Sequence, residues 1–350
     1  TPLTSVNDWK SAFDGPSEGE NFLTWIMVRV VNTDVAANTS YLCFTQSGPY
    51  EEHNHPVPSL SVSDPRYAPR YSKVLDPGKS IEYCMAIPWE PVEPPHYSLK
   101  EAKVWLDRTI TYWRDLMAKT ATLHVPCEKA TQAYLASHVC QLIASDNGEL
   151  HGGEGFYDEF YIRDGAYQMM EMEEAGLWDT ARSTMKSYLG HQRDDGRFES
   201  QQGQFDANGQ AVWTLWQYWK ITDDRAFLEQ VYPQMRKAVD WTMMTRRETP
   251  ADAPFTGLLP AAVADGESLW DGKHHIAGYD FWNLRGMLCT ADAARALGKT
   301  DDADLLQRES SDYRAAIDAA WQRTGLAYFP PSWEKEGTHW GNTETLWPTP

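Results

Sequence analysis

The hydrophobic pattern of this chain changes period part-way along it. Up to about residue 95 the apolar positions come in short runs rich in β-branched and aromatic residues. One runs from Phe22 to Val31, and Tyr41-Leu42-Cys43-Phe44 and Ile81 to Ile87 follow, separated by turn formers such as Asp76-Pro77-Gly78. Short strands at this spacing predict the last strands of an antiparallel β-sandwich, a partial domain over residues 1–95. The Pro-rich stretch from Pro88 to Pro95 ends that pattern. Ala102, Trp105, Leu106, Thr109, Ile110, Trp113, Leu116 and Met117 then recur at helical spacing, which predicts a linker helix within 96–125.

From Pro126 onward the strand signal is gone. Helical patterns occupy roughly 128–145, 164–175, 178–192, 208–221, 225–246, 279–297 and 301–322. Val212, Leu215, Trp216 and Trp219 form one stripe, and Phe281, Leu284, Leu288 and Cys289 another. Leu297-Gly298 is a stop signal, with Asp301 or Asp302 as the next N-cap. Pro233 is expected to open a second helical piece inside 225–246. Connections alternate in length: short turns near 176, 223 and 300 join paired helices, while long loops at 147–163, 193–207 and 247–278 separate the pairs. Hairpins whose long loops open on one side predict a mostly α fold, an (α/α) helical-hairpin toroid over 126–350. A solenoid would have shorter loops and more uniform repeats.

Composition narrows the function. The 350 residues are 42% hydrophobic and include 16 Trp, enough for a broad core or for flat platforms on which sugar rings stack. A formal charge of −19 removes the electrostatic gain that nucleic acids or anionic membranes require. Neutral carbohydrate is unaffected by it. The five cysteines, Cys43, Cys84, Cys127, Cys140 and Cys289, never form a CxxC pair, which argues against a disulfide framework and a zinc site; Cys43 and Cys84 read as core thiols. Nothing calls for a cofactor. No stretch is long and apolar enough to span a bilayer, and no leader opens the chain, so cytoplasm and export with a removed leader both stay open.

The long loops hold the candidate chemistry. The first runs from His151 to Ala166; aromatic residues and carboxylates alternate, among them Asp158 and Tyr161, and it ends at Arg163-Asp164, where a helix begins. Asp164 as a plain N-cap beside a surface Arg is the bland alternative. The second reads Gln204-Phe205-Asp206-Ala207-Asn208-Gly209-Gln210 and leads to Trp213; Asp206 or Asn208 are again possible caps. The third contains Gly257-Leu258-Leu259-Pro260, Asp265, Glu267, Trp270, His274 and His275.

Taken together these segments resemble the six-hairpin glycosidases, the clan of (α/α)6 toroids that includes glucoamylases, debranching enzymes and rhamnosidases. Phe160-Tyr161-Ile162-Arg163-Asp164-Gly165 is similar to the Arg-Asp motif of glucoamylase-like enzymes, which implies that Arg163 and Asp164 hydrogen-bond a sugar in the innermost subsite. The segment at 204–210 is similar to that before the third hairpin of the bacterial branch. Gly257–Pro260 stands where that branch carries its general acid, but Pro260 replaces the expected Glu, leaving Asp265 and Glu267 as the nearest carboxylates. A weaker match sets Tyr279-Asp280-Phe281-Trp282-Asn283 against the fungal acid segment, with Asn283 in place of Glu. The resemblance covers about residues 100–350. A ring of six hairpins needs more helices than are found here, and His339 to Pro348, with Trp340 and Glu344, resembles the entry to another; the expectation is a toroid incomplete at its C-terminal side.

The clan implies an oligosaccharide or polysaccharide substrate and hydrolysis with inversion, two carboxylates standing about 6.5–9.5 Å apart around a water. Glu267, near Trp270, suits the acid better than Asp265, which sits beside Gly266. Arg163, Asp164, Asp158, Tyr161, Asp206, Trp213, Trp270, His275, Trp340 and Glu344 are the substrate-binding candidates. A polysaccharide lyase, a sugar epimerase or a phosphorylase on the same toroid is the alternative within the enzymes, and a non-catalytic carbohydrate-binding protein the alternative outside them. His274-His275 lacks a third ligand at metal spacing.

Overall fold

The computed structural model describes residues 23–43, 70–88, 99–146, 148–153, 157–251, 253–263, 272–335 and 348–349. These fall into two compact units, one ending at Ala118 and one beginning at Lys119.

In the first unit β1 (Leu23–Val31) pairs antiparallel with β4 (Ser80–Pro88), and β2 (Asn38–Cys43) with β3 (Arg70–Leu75). The described part of the expected sandwich is these two ladders. Asn32 explains where β1 stops: its side-chain amide donates to the carbonyls of Leu75 (2.7 Å) and Ala36 (2.8 Å), diverting the chain into a turn. Helix α1 (Leu99–Met117) follows. It buries Ala102 completely and pairs Lys103 with Glu82 of β4, so the helix expected as a linker belongs with the strands.

The second unit is built of helices: α2 (Glu128–Ile143), α3 (Ile162–Glu174), α4 (Trp178–Gly190), α5 (Asp206–Thr222), α6 (Arg225–Thr245), α7 (Ala277–Ala296) and α8 (Thr300–Thr324). The described strands here are two-residue loop ladders, β5 (Ser145–Asp146) with β6 (Glu149–Leu150) and β7 (Ala262–Val263) with β8 (Lys273–His274). Helices α3, α5 and α7 pack side by side, and α4, α6 and α8 return behind them. This is an arc of an (α/α) helical-hairpin toroid. Sequence accounts for the two layers. Inner α7 buries residues around most of its circumference, from Tyr279 through Trp282 and Met287 to Ala294, as a helix covered on two sides must. Outer α8 buries one stripe, Ala303, Leu306, Ser310, Tyr313, Ile317 and Ala320, and leaves its other side wet. Between α6, α7 and α8 lies a core of Val239, Trp241, Met287, Leu306 and Ile317.

The inner helices α5 and α7 approach backbone to backbone at Gly209 and Gly286. A Cβ on Gly209 would fall 2.0 Å from the carbonyl oxygen of Trp282, and one on Gly286 would fall 3.2 Å from the Gly209 Cα. Beside this contact Asn208 and Asn283, both 1% exposed, tie the helices together. The Asn208 amide donates to Asn283 Oδ1 (2.8 Å) and to Thr242 of α6 (3.1 Å), while Asn283 donates to the carbonyls of Phe205 and Tyr279 (2.8 Å each).

Helix ends differ in detail from the sequence reading. Tyr161 is the N-cap of α3, so Asp164 belongs to the first turn and is not a cap. Phe205 precedes α5, and Lys299 precedes α8, which puts Asp206, Asp301 and Asp302 in first turns as well. The stop after Leu297 holds, with Gly298 at φ 72°. Asp223 takes a left-handed φ of 54°, and Asp224 then caps α6 by accepting from the Phe227 N–H at 2.9 Å. Pro233 does not open a second piece: α6 runs through it unbroken. Pro233 and Glu229, whose carbonyl loses its partner, both face solvent, so water replaces the missing bond.

Candidate functional site

All three inner helices start at the same end: first-turn side chains join α3 to α5, and Asn283, in the second turn of α7, donates to the Phe205 carbonyl just before α5. Arg163 in the first turn of α3 reaches across to Asp206, the first residue of α5, with Nε at 3.0 Å and Nη2 at 2.5 Å from Oδ2. Asp206 is 2% exposed and also accepts from Gln210, one turn further in, at 3.2 Å. Arg163 keeps part of its surface open, and Asp164 beside it is exposed. First turns suit carboxylates, because the unpaired N–H groups there carry partial positive charge.

The loop before α5 is clamped by another carboxylate. Glu199 pairs with Arg193 and with Arg197 (2.8 Å) and accepts from the Gly203 N–H (2.8 Å). The Arg197 guanidinium lies over the rings of Phe205 and Trp241, 5.1 and 5.2 Å from their centroids. On the same rim His151 Nδ1 meets Asp158 at 2.7 Å, and the Tyr161 hydroxyl donates to Glu159 at 3.2 Å.

The loop before α7 is anchored by Asp280. Its Oδ1 accepts from the Leu259 N–H (3.0 Å) and the Tyr313 hydroxyl (2.7 Å), and its Oδ2 from the Trp333 indole (2.7 Å). Burial pushes its carboxyl above the usual range, and those three donors pull it back. The ladder β7–β8 brackets residues 264–272, and a Cβ on Gly203 would meet Val263 Cγ2 at 3.1 Å, so this stem leans on the loop before α5. Two residues before α7, His275 Nδ1 lies 2.5 Å from Glu334.

The sequence-derived candidates therefore fare differently. Arg163, Asp164, Asp158, Tyr161 and Asp206 come to one end of the helices, although Asp206 is enclosed and acts on Arg163. Trp213 is corrected: it is 1% exposed and packs against Tyr167 and Trp282, a core residue with no face free for a sugar. Asn283, aligned with a fungal acid, is locked in the knot with Asn208. Glu267, Asp265, Trp270, Trp340 and Glu344 lie outside the described residues. Glu199, Asp280 and Glu334 were missed. All three stand next to an aromatic residue, Phe198, Phe281 and Trp333, which is a weak signal. Among the described residues no group of His, Cys, Asp and Glu is arranged to hold a metal ion, and no helix is long and apolar enough to cross a membrane. Cys127, Cys140 and Cys289 are free thiols.

No family model and no curated protein matches the sequence. Solved structures do. An α-L-rhamnosidase from Dictyoglumus thermophilum aligns over 86% of this chain and 34% of its own, at 12% identity and a TM-score of 0.44. A bacterial glucoamylase complexed with acarbose aligns over 67% and 36%, at 13% identity and 0.48. A GH78 family rhamnosidase of Bacillus sp. GL1 aligns over 91% and 33%, at 8% identity and 0.49. The chain spans about a third of the length of each.

Proposed function

We propose that this chain carries part of the active site of a glycoside hydrolase that cleaves an oligosaccharide or polysaccharide with two carboxylates and inversion. The observation that carries the reading is the meeting of three inner-helix starts, where Asp206 holds the Arg163 fork beside an exposed Asp164. A guanidinium held by a buried carboxylate has a fixed place and orientation at this end of the helices, and the exposed carboxylate next to it is suited to accept from sugar hydroxyls. Binding of neutral polyols needs this mixture of donors and acceptors near aromatic surface, which the acidic rim with Tyr157 and Tyr161 supplies.

In this reading Glu267 is the acid that protonates the leaving oxygen, with Asp265 as its rival. The test is leaving-group dependence. Glu267→Gln should lower hydrolysis of natural glycosides by roughly 10²–10⁴-fold and that of glycosyl fluorides far less. Asp265→Asn should give a milder loss, equal for both substrates. Equal loss for both in Glu267→Gln would transfer the acid role away from Glu267. No hydrolysis of any glycoside by the full protein would end the reading itself.

A further inference from the structure

We infer that Glu334 is a positioning residue that presents His275 Nε2 to a hydroxyl of the carbohydrate, an inference resting on the glycosidase reading above. Glu334 receives both the His275 ring, at 2.5 Å, and the His275 backbone N–H, at 3.2 Å from each of its oxygens. An ionised carboxylate only accepts, so Nδ1 bears the proton that faces Glu334, which leaves Nε2 as the ring nitrogen turned to a ligand. Burial works against the Glu334 charge, yet the His275 hydrogen bonds hold the carboxyl below the usual range. The other face of the arrangement is closed by Phe255, whose ring lies 4.4 Å from that of His275. Nε2 has no partner among the described residues, and the imidazole is 18% exposed.

The backbone around Glu334 is fixed more firmly than packing of an edge segment requires. Ser332 bridges to Ile276, the Trp333 N–H donates to the His275 carbonyl at 2.9 Å, and the Trp333 indole is held by Asp280. Directly after Glu334, Lys335 takes a left-handed φ of 67°, a conformation that costs a non-glycine residue free energy. The Lys335 N–H closes the turn on the Ser332 carbonyl, and its ammonium donates to the Thr324 carbonyl at 3.0 Å. Strain kept in place directly after Glu334, with the backbone before it pinned to Ile276 and His275, fits a carboxylate that must stand at one point. The site so defined belongs to the start of α7, the same end of the inner helices at which Arg163 and Asp164 stand.

The experiment is nitrogen-15 NMR of the histidine side chains in the full chain, with His275 assigned by loss of its signal in His275→Asn. Methyl glycosides of the common neutral hexoses, deoxyhexoses and pentoses are the probes, their binding followed separately by calorimetry. The inference expects Nδ1 protonated in the free protein and a shift of Nε2 when a glycoside binds. Glu334→Gln should raise KM roughly tenfold or more, the worth of one charge-assisted bond, with kcat and Tm nearly kept. A glycoside that binds without moving His275, or a Glu334→Gln that lowers Tm and leaves KM alone, overturns the role of the pair and leaves the glycosidase reading standing. If no glycoside binds at all, both fall together.

Discussion

The two ends of the inner helices treat buried carboxylates in opposite ways. At the N-terminal end Asp206 is held by Arg163 and Asp280 by three donors. At the C-terminal end of α3, Glu173 is 1% exposed and neither of its oxygens has a partner among the described residues. Burial, with Glu174 next to it, pushes Glu173 up to about 9. It sits in the last turn, where unpaired carbonyls oppose a negative charge, whereas Asp206 and Asp280 sit in first turns, where N–H groups favour one. Burial raises both Asp280 and Glu173; what separates them is the supply of donors, three for Asp280 and none among the described residues for Glu173.

The contrast breaks most visibly at Asp280. Asp280→Ala strands the Leu259 N–H, the Tyr313 hydroxyl and the Trp333 indole at once, and should cost roughly 3–5 kcal/mol in urea denaturation. A loss under about 1 kcal/mol would mean that the donors find other partners. At the opposite end the sign reverses. The Glu173 carboxyl is raised in the folded state, so its contribution is fully present below about pH 4.5, its unfolded value, and is lost as pH rises toward 9. Glu173→Gln should therefore gain on the parent as pH climbs through that window, by at most about 1.4 kcal/mol per pH unit. Melting curves at pH 5, 7 and 9 that stay parallel would refute it.

Smaller effects sharpen the comparison. Asp164→Asn removes an exposed charge from the well-supplied end and should lower kcat/KM by the equivalent of roughly 1.5–3 kcal/mol, with Tm nearly unchanged. A large fall in Tm would make Asp164 a structural residue. Asp224→Ala takes away the α6 cap and its pairing with Arg182, for about 1 kcal/mol on thermal unfolding.

Legibility in the sequence followed the range of the interactions. Helix positions came from the 3.6-residue period and from local stops such as Leu297-Gly298, which depend on neighbours a turn away. The Pro233 break failed because one-dimensional pattern does not show that both Pro233 and Glu229 face water. Arg163-Asp164 stood out through its resemblance to a known motif, but that Arg163 would close on Asp206 depends on two helix starts 43 residues apart. Asn208 with Asn283 and His275 with Glu334 are separated by 75 and 59 residues, and a polar residue on a periodic face does not announce its partner. Trp213 misled for the same reason: a tryptophan beside a polar loop reads alike whether it lines a groove or fills a core.

The contact of Gly209 with α7 bears on how such a molecule can change. Each inner helix begins where a loop ends, so the spacing of α5 and α7 sets the separation of the loop residues that lead into them. That spacing is fixed by the absence of one methyl group, since a single added carbon at Gly209 has 2.0 Å to the Trp282 carbonyl oxygen. The wall is therefore a gauge block that mutation can break but cannot adjust by small steps. On the glycosidase reading proposed above, variation in the carbohydrate recognised has to be written in the loops, over a distance that the helices hold constant.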